Sequence, residues 1–201
     1  MDLMTTLNPR EPLVFDTRQL RRRPGAMEEI SREVPAPEGL GTDVIGIPAG
    51  SPLQLDLRLE SVVEGVLVSG TVRGRAVGAC VRCLEPVEED LDVEIQELFA
   101  YADRAAHHQE AGAQDDEDQH VIEGDLLDLE PVVRDAVVPA LPFQPVCRED
   151  CPGLCVECGV ALASDPEHHH ETIDPRWAAL QTLAGPAQGS NTTENTEETR
   201  N

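Results

Sequence analysis

The chain has no lysine, so arginine carries all of its positive charge. Asp and Glu number 39 against 15 arginines, for a formal net charge of −24. A field of that sign repels nucleic acid and anionic membrane surfaces, so any phosphate contact has to come from a local basic patch. Aromatic residues make up only 2%. Reading of single-stranded nucleic acid by stacking on aromatic side chains is therefore not expected. The core has to be built from Val, Leu, Ile and Ala. No run of about 18 apolar residues occurs, which argues against a helical membrane span. Met1 to Arg10 also lack the basic start and apolar stretch of a secretory signal. A cytoplasmic protein with no membrane partner is expected. His-Glu-x-x-His, Gly-rich phosphate loops and Gly-x-Ser-x-Gly are all missing. The paired carboxylates, such as Glu88-Glu89, read as solvation. The expectation is no enzyme, no catalytic residue and no small-molecule substrate.

What is present points to an α+β chain: an antiparallel β-meander or small open barrel with a few helices and a C-terminal zinc knuckle. Residues 1–50 read as an N-terminal extension, with Leu13 and Phe15 on a short strand and a short helix over Met27 to Val34. Pro35 to Gly50 reads as a loop around an apolar island at Val44 to Ile47. Residues 51–101 form the β core. Leu53, Leu55, Leu57 and Leu59 alternate with polar residues, which is the period of a half-buried strand. Glu64-Gly65 signals a hairpin. Val66 to Cys80 continues as a second strand, in which Gly70, Gly74 and Gly78 are expected to mark bulges or bends. Leu91, Val93 and Ile95 belong to a third. Residues 102–124 read as an acidic linker. Residues 125–184 hold a helix that starts near Leu126, the cysteine segment, and a short helix from Asp174 to Leu183. Residues 185–201 read as a disordered tail.

Six cysteines in a reducing compartment are better explained by metal or redox chemistry than by structural disulfides. Cys80-Val-Arg-Cys83 ends the second strand. Cys147, Cys151, Cys155 and Cys158 follow later, and then His168 and His170. Thiolates and imidazoles are the preferred zinc ligands, and structural sites close with four of them. Cys155-Val-Glu-Cys158-Gly159 has the form of a knuckle. One zinc ion or two are expected, and the ligand partition is open. Cys155, Cys158, His168 and His170 can form one site, with Cys80, Cys83, Cys147 and Cys151 forming a second. Alternatively, Cys147, Cys151, Cys155 and Cys158 form a single site. A thiol redox pair at Cys80 and Cys83 is a further reading.

Arg18, Arg21, Arg22 and Arg23 form the one dense basic run. With Arg73, Arg75 and Arg82 they are the candidate RNA-binding residues, provided the strands bring them together.

Four segments in order carry a resemblance. They are Cys80-Val-Arg-Cys83-Leu-Glu-Pro86, Leu126 to Pro142, Cys147 to Gly159, and Ile173 to Leu180. Together with Leu13 to Arg18 and Arg22 to Gly25, this order resembles the actinobacterial type of the YceD-like family of large ribosomal RNA subunit accumulation proteins. The resemblance implies a non-enzymatic role in the synthesis, processing or accumulation of large-subunit (23S) rRNA. It implies as partner an rRNA precursor or a ribosomal protein. A zinc-knuckle protein–protein adaptor is the alternative. In many members of that family the knuckle is followed by Cys-x-Cys, at the place where His168 and His170 stand here, which implies a ligand role for the two histidines; other members keep the first Cys-x2-Cys pair and lack the second cluster.

Overall fold

The computed structural model describes residues 7–104 and 119–170. Nine strands and two complete helical segments fall within them, and residues 102–104 are also helical. In chain order these are β1 (Val14–Asp16), a 3-10 turn (Arg18–Leu20), β2 (Met27–Pro35), β3 (Leu40–Gly41), β4 (Ile45–Ile47), β5 (Pro52–Ser61), β6 (Gly65–Ala79), β7 (Pro86–Tyr101), β8 (Val121–Ile122), β9 (Leu126–Asp128) and helix α1 (Glu130–Ala140).

The backbone of the fold is the β6–β7 hairpin. Its register runs unbroken from Gly65 opposite Ala100 to Ala79 opposite Pro86. The other edge of β6 is shared by two strands. β5 pairs with it over Val66 to Arg73, and β4 pairs at Val77 and Gly78. β2 lies outside β5, β3 outside β4, and β8 adds in parallel to β7. The sheet stays open and does not close into a barrel. A separate ribbon of β1 and β9 ties Leu13 to Asp16 to the start of α1.

The alternation in β5 sends Leu53, Leu55, Leu57 and Leu59 inward, where each is at most 4% exposed. They meet Val66, Val68, Val72, Phe99 and the Val132, Val133 and Val137 face of α1 in one apolar cluster. Ser61 is fully buried, and its hydroxyl lies 3.1 Å from the Tyr101 hydroxyl, which meets the hydrogen-bonding need of both groups.

Several expectations are corrected here. Met27 to Val34 is not a helix but strand β2, paired with β5 along its whole length. Ile30 and Val34 are spaced four apart, which fits either period, and nine ladder pairs to a strongly alternating neighbour decide for strand. Glu28 and Arg32 point inward beside them. The Arg32 guanidinium stacks 4.0 Å from the Phe15 ring centre and donates to the Pro12 carbonyl. Burial lowers its pKa.

The Pro35 to Gly50 loop contains β3 and β4, so residues 1–50 supply strands to the main sheet instead of hanging from it. No bulge interrupts β6. The glycines sit where neighbouring strands press in: a Cβ on Gly78 would lie 2.4 Å from the Val44 carbonyl oxygen. The helical spacing from Leu126 is also misleading at its start, since Leu126 to Asp128 form β9. Pro131, which has no N–H to donate, belongs in a first turn and sets the helix start at Glu130. The expected helix at Asp174 to Leu183, the tail 185–201 and most of the acidic linker lie outside the described residues.

Candidate metal centres

The β6–β7 hairpin ends in the turn Cys80 to Glu85. The Cys80 N–H donates to the Glu85 carbonyl at 2.8 Å, and the Leu84 N–H to the Cys80 carbonyl at 2.9 Å. The segment Cys155 to Val160 repeats both bonds. Cys155 N–H donates to Val160 O at 2.8 Å, and Gly159 N–H to Cys155 O at 2.8 Å. These are two copies of one knuckle. In each, the fifth residue takes a left-handed conformation, with φ of 64° at Leu84 and 74° at Gly159. Glycine adopts this freely; for leucine it costs about 1–2 kcal/mol.

Each knuckle is completed by two donors from later in the chain. Cys80, Cys83, Cys147 and Cys151 form one group, and Cys155, Cys158, His168 and His170 the other, with the ligand atoms of each within 4.8 Å of one another. The sequence left the partition open, and the fold brings the donors together as these two groups of four. In the first, Cys80 and Cys151 sulfurs are 3.8 Å apart, and Cys83 and Cys147 sulfurs 3.6 Å. A tetrahedron of four sulfurs about 2.3 Å from one ion has edges of about 3.8 Å. In the second, Cys158 Sγ, His168 Nε2 and His170 Nε2 form a triangle with sides of 3.2, 3.3 and 2.9 Å.

The histidine rings carry a second mark of metal ligation. Both present Nε2 to the shared point and Nδ1 to a carboxylate: His168 to Asp165 at 3.7 Å, His170 to Glu157 at 3.5 Å. Such outer carboxylates fix the tautomer that leaves Nε2 free to coordinate. Asp165 was not among the sequence candidates, and only its place three residues before His168 hints at it.

Without a cation the thiols conflict. Burial pushes the Cys80 thiol up, but the amides of Cys147, Cys83 and Arg82 outweigh it and lower its pKa to about 6. The sulfurs of Cys151 and Cys83 push Cys147 up to about 12. In the second centre the amides of Cys158 and Glu157 lower Cys155 to about 6. A divalent ion removes the conflict by accepting several thiolates at once.

The first centre is bolted to the sheet. Val81 N–H donates to Pro145 O at 2.9 Å, and Leu154 N–H to Arg82 O at 3.0 Å. The Arg82 guanidinium donates to the carbonyls of Glu149 and Cys151 at 3.0 and 3.1 Å. Cys80 and Cys151 are buried. The second centre draws its ligands from a short local stretch, and Cys158 is exposed.

The RNA candidates are not gathered into one surface. Arg22 lies over Tyr101 and bonds Asp103, while Arg82 sits at the far end of the β6–β7 hairpin. At about 3.3 Å per residue the hairpin separates them by on the order of 45 Å. Arg18 pairs with Asp16. Arg21 and Arg23 are exposed, with no ion pair among the described residues. Arg73 bonds Asp92 and Asp56, and Arg75 bonds Asp90 and Glu88, so a phosphate approaching either meets carboxylates as well. No helix of the described residues is long and apolar enough to cross a membrane.

Fold and site together define a class: an open antiparallel β-sheet protein whose C-terminal segment is joined to the sheet end at a four-cysteine cluster able to hold a metal. The chain belongs to the YceD family, large ribosomal RNA subunit accumulation proteins, whose family model matches residues 68–184. That stretch contains β7, β6 from Val68 onward, both knuckles and all eight candidate donors. An uncharacterized protein of Mycobacterium tuberculosis is 51% identical over 175 residues, covering 87% of this chain and 83% of its own. A Mycobacterium leprae protein is 45% identical, with coverage of 87% and 79%. The protein YlbN of Bacillus subtilis is 27% identical over 136 residues, covering 66% of this chain and 74% of its own. No solved structure matches.

Proposed function

We propose that this chain is a non-enzymatic, cytoplasmic factor that promotes the accumulation of large-subunit rRNA, with two zinc ions holding its C-terminal segment in shape. The family match, which spans β7, most of β6 and both knuckles, carries this reading. Zinc is favoured by donor chemistry, since a four-thiolate group and a two-thiolate, two-imidazole group are its usual structural sets. When bound, zinc supplies cross-links that the sparse aromatic core does not. Four protein donors per centre leave no open position for a catalytic water, which supports a structural role.

Association with a ribosomal protein is favoured over direct binding of rRNA. The sheet-face arginines are each paired with carboxylates, and the net charge opposes phosphate. Depletion of the protein is expected to lower the ratio of large- to small-subunit rRNA measured on total RNA; an unchanged ratio would overturn the role. On purified protein, retention of large-subunit rRNA precursor at low salt is expected to be weak. Replacing Arg21, Arg22 and Arg23 by Gln should change it by less than about threefold. Strong retention that those replacements abolish would restore direct RNA binding.

A further inference from the structure

The two knuckles make the same hydrogen bonds but place different residues at the left-handed position. Gly159 fills it in one, Leu84 in the other. Leu84 is 67% exposed, so packing within the chain does not offset its strained backbone. A residue held in a costly conformation with its apolar side chain in water points to a role outside the fold. It is not alone at this end of the sheet. Val81, in the same turn, is 42% exposed. The Val81–Pro145 hydrogen bond brings up the segment that carries Phe143, which is 89% exposed. The turn's own cation does not front this patch, because the Arg82 guanidinium is spent on the carbonyls of Glu149 and Cys151. The side chains of Glu85 and Glu149 beside it are exposed and have no ion-pair partner among the described residues.

We propose that Val81, Leu84 and Phe143 form a protein-docking tip whose partner presents an apolar pocket rimmed by lysine or arginine. Charge complementarity selects that occupant. Phosphates of RNA meet Glu85 and Glu149 unfavourably, and a second copy of this chain would bring like charge to like charge. Exposed apolar anchors surrounded by charge have the layout of an interface centre and its rim. That the partner is a large-subunit ribosomal protein rests on the function proposed above; the tip itself does not.

The test is photocrosslinking in cells, with p-benzoylphenylalanine in place of Phe143 in the full chain and mass-spectrometric identification of the adduct. A crosslink to a basic protein of the large ribosomal subunit is expected. A crosslink to rRNA, to a second copy of the chain, or to nothing would overturn the tip. A crosslink to a basic protein outside the ribosome would leave the tip standing and overturn the ribosomal reading. Leu84→Gly in the same background is expected to keep both metal ions and an equal or higher Tm, because the strain is relieved. It should lower the crosslink yield roughly tenfold or more. Loss of metal or of folding in Leu84→Gly would show that Leu84 serves structure instead, and an undiminished crosslink in the folded variant would overturn its place in the tip.

Discussion

Cys151→Ser is expected to yield a chain that binds one zinc ion in place of two and to free the segment around Arg148 from the sheet end. Cys151 is one of two buried donors in the four-cysteine centre. Serine neither ionises at neutral pH nor binds zinc comparably. Structural zinc sites hold their ion with apparent free energies on the order of 10–16 kcal/mol, so removing one of its four ligands should rank among the costliest single substitutions in this molecule. Native mass spectrometry gives the ion count. Trypsin gives the second readout, because Arg148 lies between the ligands Cys147 and Cys151. In the intact chain that bond should resist cleavage, and in Cys151→Ser it should be cut early. His168→Ala with His170→Ala provides the contrast. That variant should also lose one ion, yet leave Arg148 protected, since the second centre takes no ligand from the sheet. Equal metal content and equal protection in Cys151→Ser would sink the assignment of the first centre.

Gly70→Ala should cost about 3 kcal/mol or more, read as a lowered midpoint in urea unfolding. Gly70 lies in the interior of β6, opposite Leu57 on one side and Ile95 on the other. Its φ is 154°, and an added Cβ would fall 2.1 Å from the Asp56 carbonyl oxygen and 2.8 Å from the Leu57 Cα. Those are backbone atoms of β5, so no side-chain rotation relieves the clash and the β5–β6 ladder has to part. Gly50→Ala is the matched comparison. Its φ of 77° is also unfavourable to alanine, but nothing lies within 4 Å of its added Cβ. A Gly70→Ala midpoint no lower than that of Gly50→Ala would show that the close approach to β5 is not a constraint.

Strands were legible wherever one face is buried and the pattern is long. β5 is the clearest case, because Leu at every second position leaves no other period. The β6–β7 hairpin was legible for the same reason. β2 was not, because two of its four inward residues are Glu28 and Arg32, which hide the alternation. An edge strand tolerates such charges, and they discourage pairing with other chains. β3 and β4 are too short to carry any period. For the candidate metal centres, spacing picked out the eight residues that the fold gathers into two groups, but it could not pair them. Cys80 and Cys83 could be assigned to Cys147 and Cys151 only once the hairpin placed its tip against Pro145 and Leu154. The arginine candidates show the opposite failure. Alternation rightly set Arg73 and Arg75 on one face, but their carboxylate partners come from other strands, in a register the sequence does not display.

The two metal centres differ in when they can exist. The four-cysteine centre joins residues 64 and 71 positions apart in the chain. The pairings of β2 with β5 and of β5 with β6 join much nearer neighbours. Closing a longer loop costs more entropy, so nearby strands pair first. On a chain emerging from its N-terminus, the meander from β2 to β7 can assemble while the second half of the four-cysteine centre is still unmade. Until Cys147 and Cys151 arrive, Cys80 and Cys83 stand as a bare pair of thiols at the hairpin tip. With zinc as the ion proposed above, its capture there would be a closing event of biosynthesis, and a shortage of the ion would leave a formed sheet with an unfastened end.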